Sequence, residues 1–123
     1  MLDAGAFVAI ERGNRKTLAL LRAAQQHGIG LRTSAIVLGQ VWRASDGRQA
    51  ELARLLRAVE IRSVDEQLGR DAGVLIGRAG TSDPIDATVI LVSESGDRIL
   101  TSDPDDIKLL VSVAGRRAAV VAC

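Results

Sequence analysis

The chain contains very few residues of the types that build disulfides, catalytic triads or aromatic surfaces. Its 123 residues include one cysteine, one histidine, one tryptophan, one phenylalanine and no tyrosine. Cys123 has no partner for an internal disulfide and is a poor candidate for a metal cluster, which fits a reducing, cytoplasmic setting. A Ser-His-Asp or Cys-His arrangement is excluded unless His27 serves it. His27 precedes Gly28 at a predicted helix end, where a cation favours the helix dipole, so we predict a structural role for it.

Other function classes are argued against by what the sequence does not contain. The chain has 16 Lys and Arg residues and 15 Asp and Glu residues, which gives a net charge of +1. The overall charge therefore does not indicate a nucleic-acid partner. No apolar run approaches the roughly 20 residues of a membrane span, and the opening residues lack the basic start of a signal peptide. Neither GxxxxGK[ST] nor GxGxxG follows a predicted strand, which argues against P-loop and dinucleotide-binding proteins. We therefore expect a cytoplasmic protein without a membrane role.

The order of the apolar segments predicts one α/β domain over residues 1–123. Hydrophobic residues make up 47% of the chain, which is ordinary for a globular protein of this length. Continuously apolar strands separated by helices predict a mostly parallel sheet covered on both faces. Ser34 is predicted to cap the helix IVLGQVWRA. The predicted strands are the segment ending at Asp3, GLRTSA (30–35), EIRSV (60–64), DRILTS (97–102) and a buried AAVVA (118–122).

Two identical tetrapeptides, TSDP at Thr81–Pro84 and at Thr101–Pro104, each precede an apolar helical pattern. Asp followed by Pro is typical of a helix start, because Asp caps the first turn and Pro suits the first helical position. Local structure alone could explain both copies. A capping or solvated role is the favoured interpretation for three of the acids in these segments: Asp83, Asp105 and Asp106.

A second interpretation follows from where three acids fall on the predicted sheet. Asp3 and Asp103 end predicted strands, and ligands of open α/β sheets bind outside the carboxyl ends of strands. Asp86 can reach the same edge from the first turn of its helix. Three converging carboxylates repel one another, which protonation or a cation must offset. Oxygen ligands without Cys or a His partner favour Mg²⁺ or Mn²⁺, and such a metal can activate a water to hydrolyse a phosphodiester.

Four segments carry a resemblance to a known family: LDAGAFVAIE, TSAIVLGQVWR, DPIDATVI and RILTSDPDDI. Together they resemble the PIN domain, and within it the small toxin ribonucleases of VapBC toxin–antitoxin pairs. The resemblance implies a three-layer sandwich with a central, mostly parallel sheet of four to five strands and helices on both faces. It also implies a Mg²⁺- or Mn²⁺-dependent endoribonuclease toxin of a type II system that cleaves structured RNA, forms a homodimer and is silenced by a VapB-type antitoxin. The antitoxin inserts a peptide into the active-site groove.

Residue by residue, the resemblance assigns the catalytic and metal-binding acids to Asp3, Asp86 and Asp103. The family's second acid is a glutamate, and this sequence has Gln40 at that catalytic position. An amide oxygen can accept a hydrogen bond from water or ligate weakly, but it brings no charge and cannot act as a base. Two interpretations are favoured: a working metal-dependent nuclease, or a catalytically weakened PIN-like module that binds RNA or a partner. A third, a receiver-like or phosphatase-like α/β domain with an Asp cluster, is disfavoured because no lysine ends a late predicted strand.

Two further predictions concern surfaces around these acids. Buried packing is the default for Phe7 and Trp42, although Trp42 lies close enough to Gln40 to line the antitoxin groove. Most arginine clusters are simply solvated. The cluster of Arg12, Arg15 and Lys16 is the best candidate for RNA phosphates, because its helix follows directly from the strand that ends at Asp3.

Overall fold

The chain alternates helices with short strands. A computed structural model of the protein describes residues 1–44, 47 and 49–123. Within those ranges no helix has the length and apolar character needed to cross a membrane. The elements are α1 (Ala4–Glu11), α2 (Arg15–Gln26), β1 (Leu31–Ser34), α3 (Val37–Val41), α4 (Ala50–Leu56), β2 (Val59–Arg62), α5 (Glu66–Ala79), α6 (Pro84–Val92), β3 (Arg98–Thr101), α7 (Pro104–Ala114) and β4 (Ala119–Ala122).

The strands form two small parallel sheets in the described part of the chain. β1 pairs with β2 so that Leu31 lies opposite Val59, and β3 pairs with β4 so that Arg98 lies opposite Ala119. Each sheet has two strands rather than belonging to a single regular sheet of four to five. The prediction of an α/β chain with parallel strands is confirmed, because helices connect each pair of strands in the way that parallel pairing requires.

The segment Met1–Asp3 lies between the two sheets. The Leu2 N–H donates to the Arg32 carbonyl of β1 at 2.8 Å, and the Asp3 N–H donates to the Leu100 carbonyl of β3 at 3.1 Å. Leu2 forms only an isolated parallel bridge with Leu100, so the predicted first strand is not a regular strand. Its hydrogen bonds nevertheless bring the end of this segment and the end of β3 to one edge.

The helices fall into two packing groups. In one group α5, α6 and α7 contact one another, with α6 also on β1 and α7 on β4. In the other group α1 contacts α2, α3 and α4, and it also packs on β3. Fully burying a large apolar side chain contributes roughly 1.5–3 kcal/mol, so the core depends on residues from both groups. The largest of these apolar side chains are Phe7, Leu2, Leu52, Ile90, Ile99, Ile107 and Leu110.

Local signals set most helix ends. The Asp83 side chain accepts hydrogen bonds at the start of α6, with Pro84 in the first turn, as TSDP predicted. Gly80 and Gly115 end α5 and α7 in the left-handed conformation that glycine adopts without a steric penalty. His27 ends α2, with its ring Nδ1 2.7 Å from the Ala23 carbonyl oxygen, which confirms a structural place at a helix end.

Four local predictions are wrong. Ser34 does not cap a helix. Its hydroxyl instead hydrogen-bonds the Thr88 hydroxyl at 2.8 Å, whose own proton goes to the Ile85 carbonyl at 2.7 Å. The helix predicted over 36–44 is only the five residues Val37–Val41. Trp42 lies beyond its end and is 39% exposed, whereas Phe7 is buried as predicted. The last strand is not fully buried, since Ala119 and Ala122 are exposed.

Candidate functional site

Asp3 is a carboxylate held inside the protein. It is 6% exposed and stands at the N-cap of α1. One carboxylate oxygen accepts from the Ala4 N–H at 2.6 Å, and the other accepts from the Thr101 hydroxyl at 2.7 Å. Burial raises the pKa of Asp3, and these two hydrogen bonds oppose that rise without cancelling it. The negative charges of Asp83 and Asp103 raise it further, so both acids lie within electrostatic reach of Asp3.

Thr101 connects two of the predicted site residues. Its side chain is fully buried at the end of β3. The hydroxyl donates its single proton to Asp3 and accepts from the Asp103 N–H at 3.0 Å. It therefore fixes the position of one acid relative to the backbone of the other. Sequence reasoning missed this residue, and the only available signal was its place two residues before Asp103.

Asp86 lies in the first turn of α6 and is partly buried. Loss of solvation is the largest cause of a rise in the pKa of Asp86 to about 7, followed by the charges of Asp3, Asp83, Asp103 and Asp106. The smaller contributions place these carboxylates within electrostatic range of Asp86. The structure thus places the three predicted acids, with Asp83 and Asp106, in a loose cluster of interacting charges.

The two TSDP segments use their aspartates differently. The Asp83 carboxylate accepts hydrogen bonds from the Ile85 N–H at 2.8 Å and the Asp86 N–H at 3.4 Å, as a cap does. The Asp103 side chain makes no capping hydrogen bond, and the residue is exposed. Capping therefore explains the first aspartate, whereas the second keeps its carboxylate available, in line with its assignment as a site residue.

Gln40 lies on α3, which packs on α1 and β1. Its Oε1 is buried and accepts no hydrogen bond from any residue that the structure describes. An unpartnered buried carbonyl oxygen costs about 1–3 kcal/mol, so this atom needs a donor such as an ordered water. No hydrogen bond joins the Gln40 side chain to the acids among the described residues, and its place as a fourth site residue stays a prediction.

The cluster fits a hard divalent cation by the chemistry of its donors. Within residues 1–44, 47 and 49–123, no three His, Cys, Asp or Glu side chains stand close enough to form a ready-made ligand cage. Mg²⁺ requires only one or two carboxylates because it keeps several of its waters, and carboxylate oxygens suit both Mg²⁺ and Mn²⁺. A hydrated cation would relieve the repulsion at Asp86. By the chemistry of their oxygen donors, and not as a preformed cage, Asp3, Asp86 and Asp103 suit such a cation.

Two clefts are formed by described residues. The α1 cleft, of about 400 Å³, lies between α1 and the β3–α7 loop. Its lining residues Ala4 and Ser102 are the chain neighbours of Asp3 and Asp103, so this cleft adjoins the acids. The α3 cleft, of about 510 Å³, is lined by Leu38, Gly39, Trp42 and Leu56.

Carboxylates that repel one another favour binding of a cation, and a bound cation would attract an anion such as a phosphate. Comparison of the chain with protein-family models, with curated proteins and with solved structures finds no match. A functional assignment therefore rests on the residues of this chain.

Proposed function

We propose that this protein is a Mg²⁺- or Mn²⁺-dependent endoribonuclease, the toxin of a type II toxin–antitoxin pair, and that it cleaves structured RNA in the cytoplasm. The observation that carries the proposal is that Asp3, Asp86 and Asp103 lie within electrostatic range of one another, with the pKa of Asp86 raised to about 7 by its burial and then by these charges. The PIN-like sandwich belongs to the same proposal. It is supported by the two groups of helices and by the hydrogen bonds of Met1–Asp3 to β1 and β3.

The chain's own residues would divide the work as follows. Asp3, Asp86 and Asp103 would hold the cation, which when bound lowers the pKa of water and neutralises charge on the phosphate. Thr101 keeps Asp3 in place through its hydroxyl. Near neutral pH Asp86 is partly protonated in the free protein, so cation binding displaces a proton there. The Gln40 carbonyl oxygen would orient water by accepting a hydrogen bond, without serving as a base.

The α3 cleft supports the proposed antitoxin partner. Trp42 is 39% exposed and Ile36 is 43% exposed, which gives the ends of α3 an exposed apolar surface. An apolar segment of a VapB-type antitoxin could cover that surface and block access to the cluster. The homodimer is proposed from the resemblance alone.

Gln40 favours a second candidate function. Without the charge of a glutamate, the cluster would bind a cation more weakly, and losing a partner of this kind costs roughly 10–100-fold in affinity or activity. The alternative is a PIN-like module that binds RNA or a protein partner with little or no catalysis.

RNA cleavage by the purified protein tests the leading proposal. We expect cleavage in Mg²⁺ or Mn²⁺, none in EDTA, and a loss of more than about 100-fold in Asp86→Asn, which removes a ligand. Asp71→Asn on the exposed face of α5 is the matched control and should cleave as the wild type does. Cleavage that persists equally in Asp86→Asn, or that never appears with any metal, would favour the binding module.

The role of Gln40 has its own test. Gln40→Glu adds a charge beside the cation site, so Mn²⁺ affinity should rise, as measured by calorimetry. An unchanged Mn²⁺ affinity would show that Gln40 does not contribute to the site.

A further inference from the structure

The α1 cleft has an apolar wall made of small side chains. Ala4, Gly5, Val8 and Ala9 line it on α1, and the Cys123 side chain also contributes to the lining. Its volume of about 400 Å³ falls within the roughly 300–1,000 Å³ range of small-molecule sites. Small side chains along a helix leave a surface on which a flat ring can lie. The cleft therefore has the size and lining for one planar group.

Three polar groups stand at the rim without partners in the described part of the chain. Asn14 uses its Oδ1 to accept from the Thr17 N–H at 3.0 Å and hydroxyl at 3.1 Å, which leaves its amide NH₂ to donate elsewhere. The Ser102 hydroxyl makes no hydrogen bond to a described residue, and no described carboxylate lies within 4.0 Å of Arg12. All three line the cleft. They offer hydrogen bonds and one positive charge to a bound group.

The position of the cleft decides what chemistry it suits. Its wall begins at Ala4, whose N–H is hydrogen-bonded to Asp3, and at Ser102, which precedes Asp103. A small free anion is disfavoured beside several carboxylates. A nucleotide suits the cleft better, because its base can lie on the apolar wall while its phosphate reaches Arg12 at the end of the cleft away from the acids.

We propose that the α1 cleft is a nucleotide subsite, which binds the base and ribose of the residue next to the scissile phosphate while Arg12 contacts the neighbouring phosphate. The proposal rests on the proposed nuclease function and adds the surface that selects the base at the cut. Hydrogen bonds from the Asn14 amide and the Ser102 hydroxyl read the edge of that base. One base is preferred over the others because the hydrogen bonds of the Asn14 Oδ1 with Thr17 hold the Asn14 amide in one orientation.

Nucleotide binding in EDTA tests the subsite apart from cleavage. The probes are the four nucleosides and their 5′-monophosphates, titrated into ¹⁵N-labelled full-length protein by NMR. We expect chemical-shift changes at the backbone amides of Gly5, Val8 and Ser102. Affinity should differ among the four bases, and each monophosphate should bind more tightly than its nucleoside. Arg12→Gln should raise the dissociation constant of the monophosphate about tenfold and leave that of the nucleoside unchanged. Ala9→Phe should abolish both, whereas Ala23→Phe, on the exposed face of α2, should bind normally.

The outcomes separate the subsite from the nuclease. Thermal unfolding shows whether Ala9→Phe is folded. If that variant does not fold, the nucleotide affinity of Arg12→Gln still tests the subsite. The subsite would be refuted, and the nuclease left intact, by the following result: the wild type cleaves RNA in a metal-dependent way, nucleotides cause no chemical-shift changes, and Arg12→Gln has an unchanged KM for RNA. Nucleotide binding at the cleft without any cleavage would support the subsite and refute the nuclease. Shifts at the α3 cleft alone, around Leu38 and Trp42, would also overturn the proposal.

Discussion

Gly5 lies where α1 passes closest to the β3–α7 loop. A Cβ built on Gly5 would stand 2.6 Å from the Cβ of Ser102 and 2.7 Å from its backbone nitrogen, nearer than the 3.0 Å that such contacts essentially never cross. Because one of these atoms is backbone, rotating the serine side chain cannot relieve the contact. In Gly5→Ala either α1 or the loop must move. The loop carries Ser102 between Thr101 and Asp103, so the movement reaches the acids.

The energetic cost of the close contact at Gly5 can be measured by making the same Gly→Ala change at a glycine without such a contact. Gly73 lies within α5, and a Cβ there meets nothing within 4 Å. Gly73→Ala gains roughly 0.5–1 kcal/mol from the higher helix propensity of alanine, because Gly73 lies in the middle of α5, whereas Gly5 is the second residue of α1 and gains less. The difference between the two variants is therefore mainly the overpacking cost at Gly5, roughly 1–3 kcal/mol. We expect Gly73→Ala to be more stable than the wild type and Gly5→Ala to be less stable.

Urea unfolding measures this difference. Gly5→Ala should lower the transition midpoint with an unchanged m-value, and calorimetry should show weaker Mn²⁺ binding because the acids are displaced. Gly73→Ala should bind Mn²⁺ as the wild type does. If Gly5→Ala gained stability in step with Gly73→Ala, the loop would yield without cost and the close approach would have no structural role.

Three other perturbations test the cluster and the scaffold. Thr101→Val removes the hydroxyl that donates to Asp3. The free energy of unfolding, measured in urea, should therefore fall by about 1–3 kcal/mol, and Mn²⁺ affinity should fall about 10–100-fold. Wild-type values for both would contradict this role of Thr101. The pKa of Asp86 is about 7 in the folded state against an ordinary 3.8, so the metal-free folded protein holds the extra proton between these values. Its stability should therefore fall as pH rises from about 4 to 7 and then level off; an equal slope in Asp86→Asn would refute this cause. The Arg32 side chain is 16% exposed and pairs with three carboxylates, so Arg32→Met should lower the free energy of unfolding by about 1.5–3 kcal/mol. Arg54→Met, at an exposed pair, should change it by less than about 0.5 kcal/mol, and equal effects would show that the Arg32 network adds nothing.

The helices were predictable because their signals are local. Asp before Pro84, and Gly80 and Gly115 after apolar periodic segments, mark ends that need no knowledge of the tertiary structure. The hydroxyl pair of Ser34 with Thr88 depends on how α6 packs against β1. A residue distant in sequence sets this feature, so capping rules alone gave the wrong result for Ser34.

The acids were predictable for a different reason. Asp3 and Asp103 each follow an apolar segment, and parallel segments place their carboxyl ends at a common edge. Thr101 escaped prediction because its contact with Asp3 depends on the register between Met1–Asp3 and β3, which a four-residue strand does not reveal. Trp42 was assigned to the core by residue type, but the early end of α3 leaves it partly exposed.

Capping alone does not account for the acids of this edge. It explains Asp83, whose carboxylate accepts two backbone N–H groups. Asp3 also caps a helix, but serine or asparagine would do so without a buried charge whose pKa burial raises. Asp103 makes no capping hydrogen bond with its side chain, and the pKa of Asp86 is raised by burial and then by its charged neighbours. Sequences depart from local rules of stability mainly where function requires it, so the unfavourable charges at Asp3 and Asp86 support the proposal of a cation that offsets them.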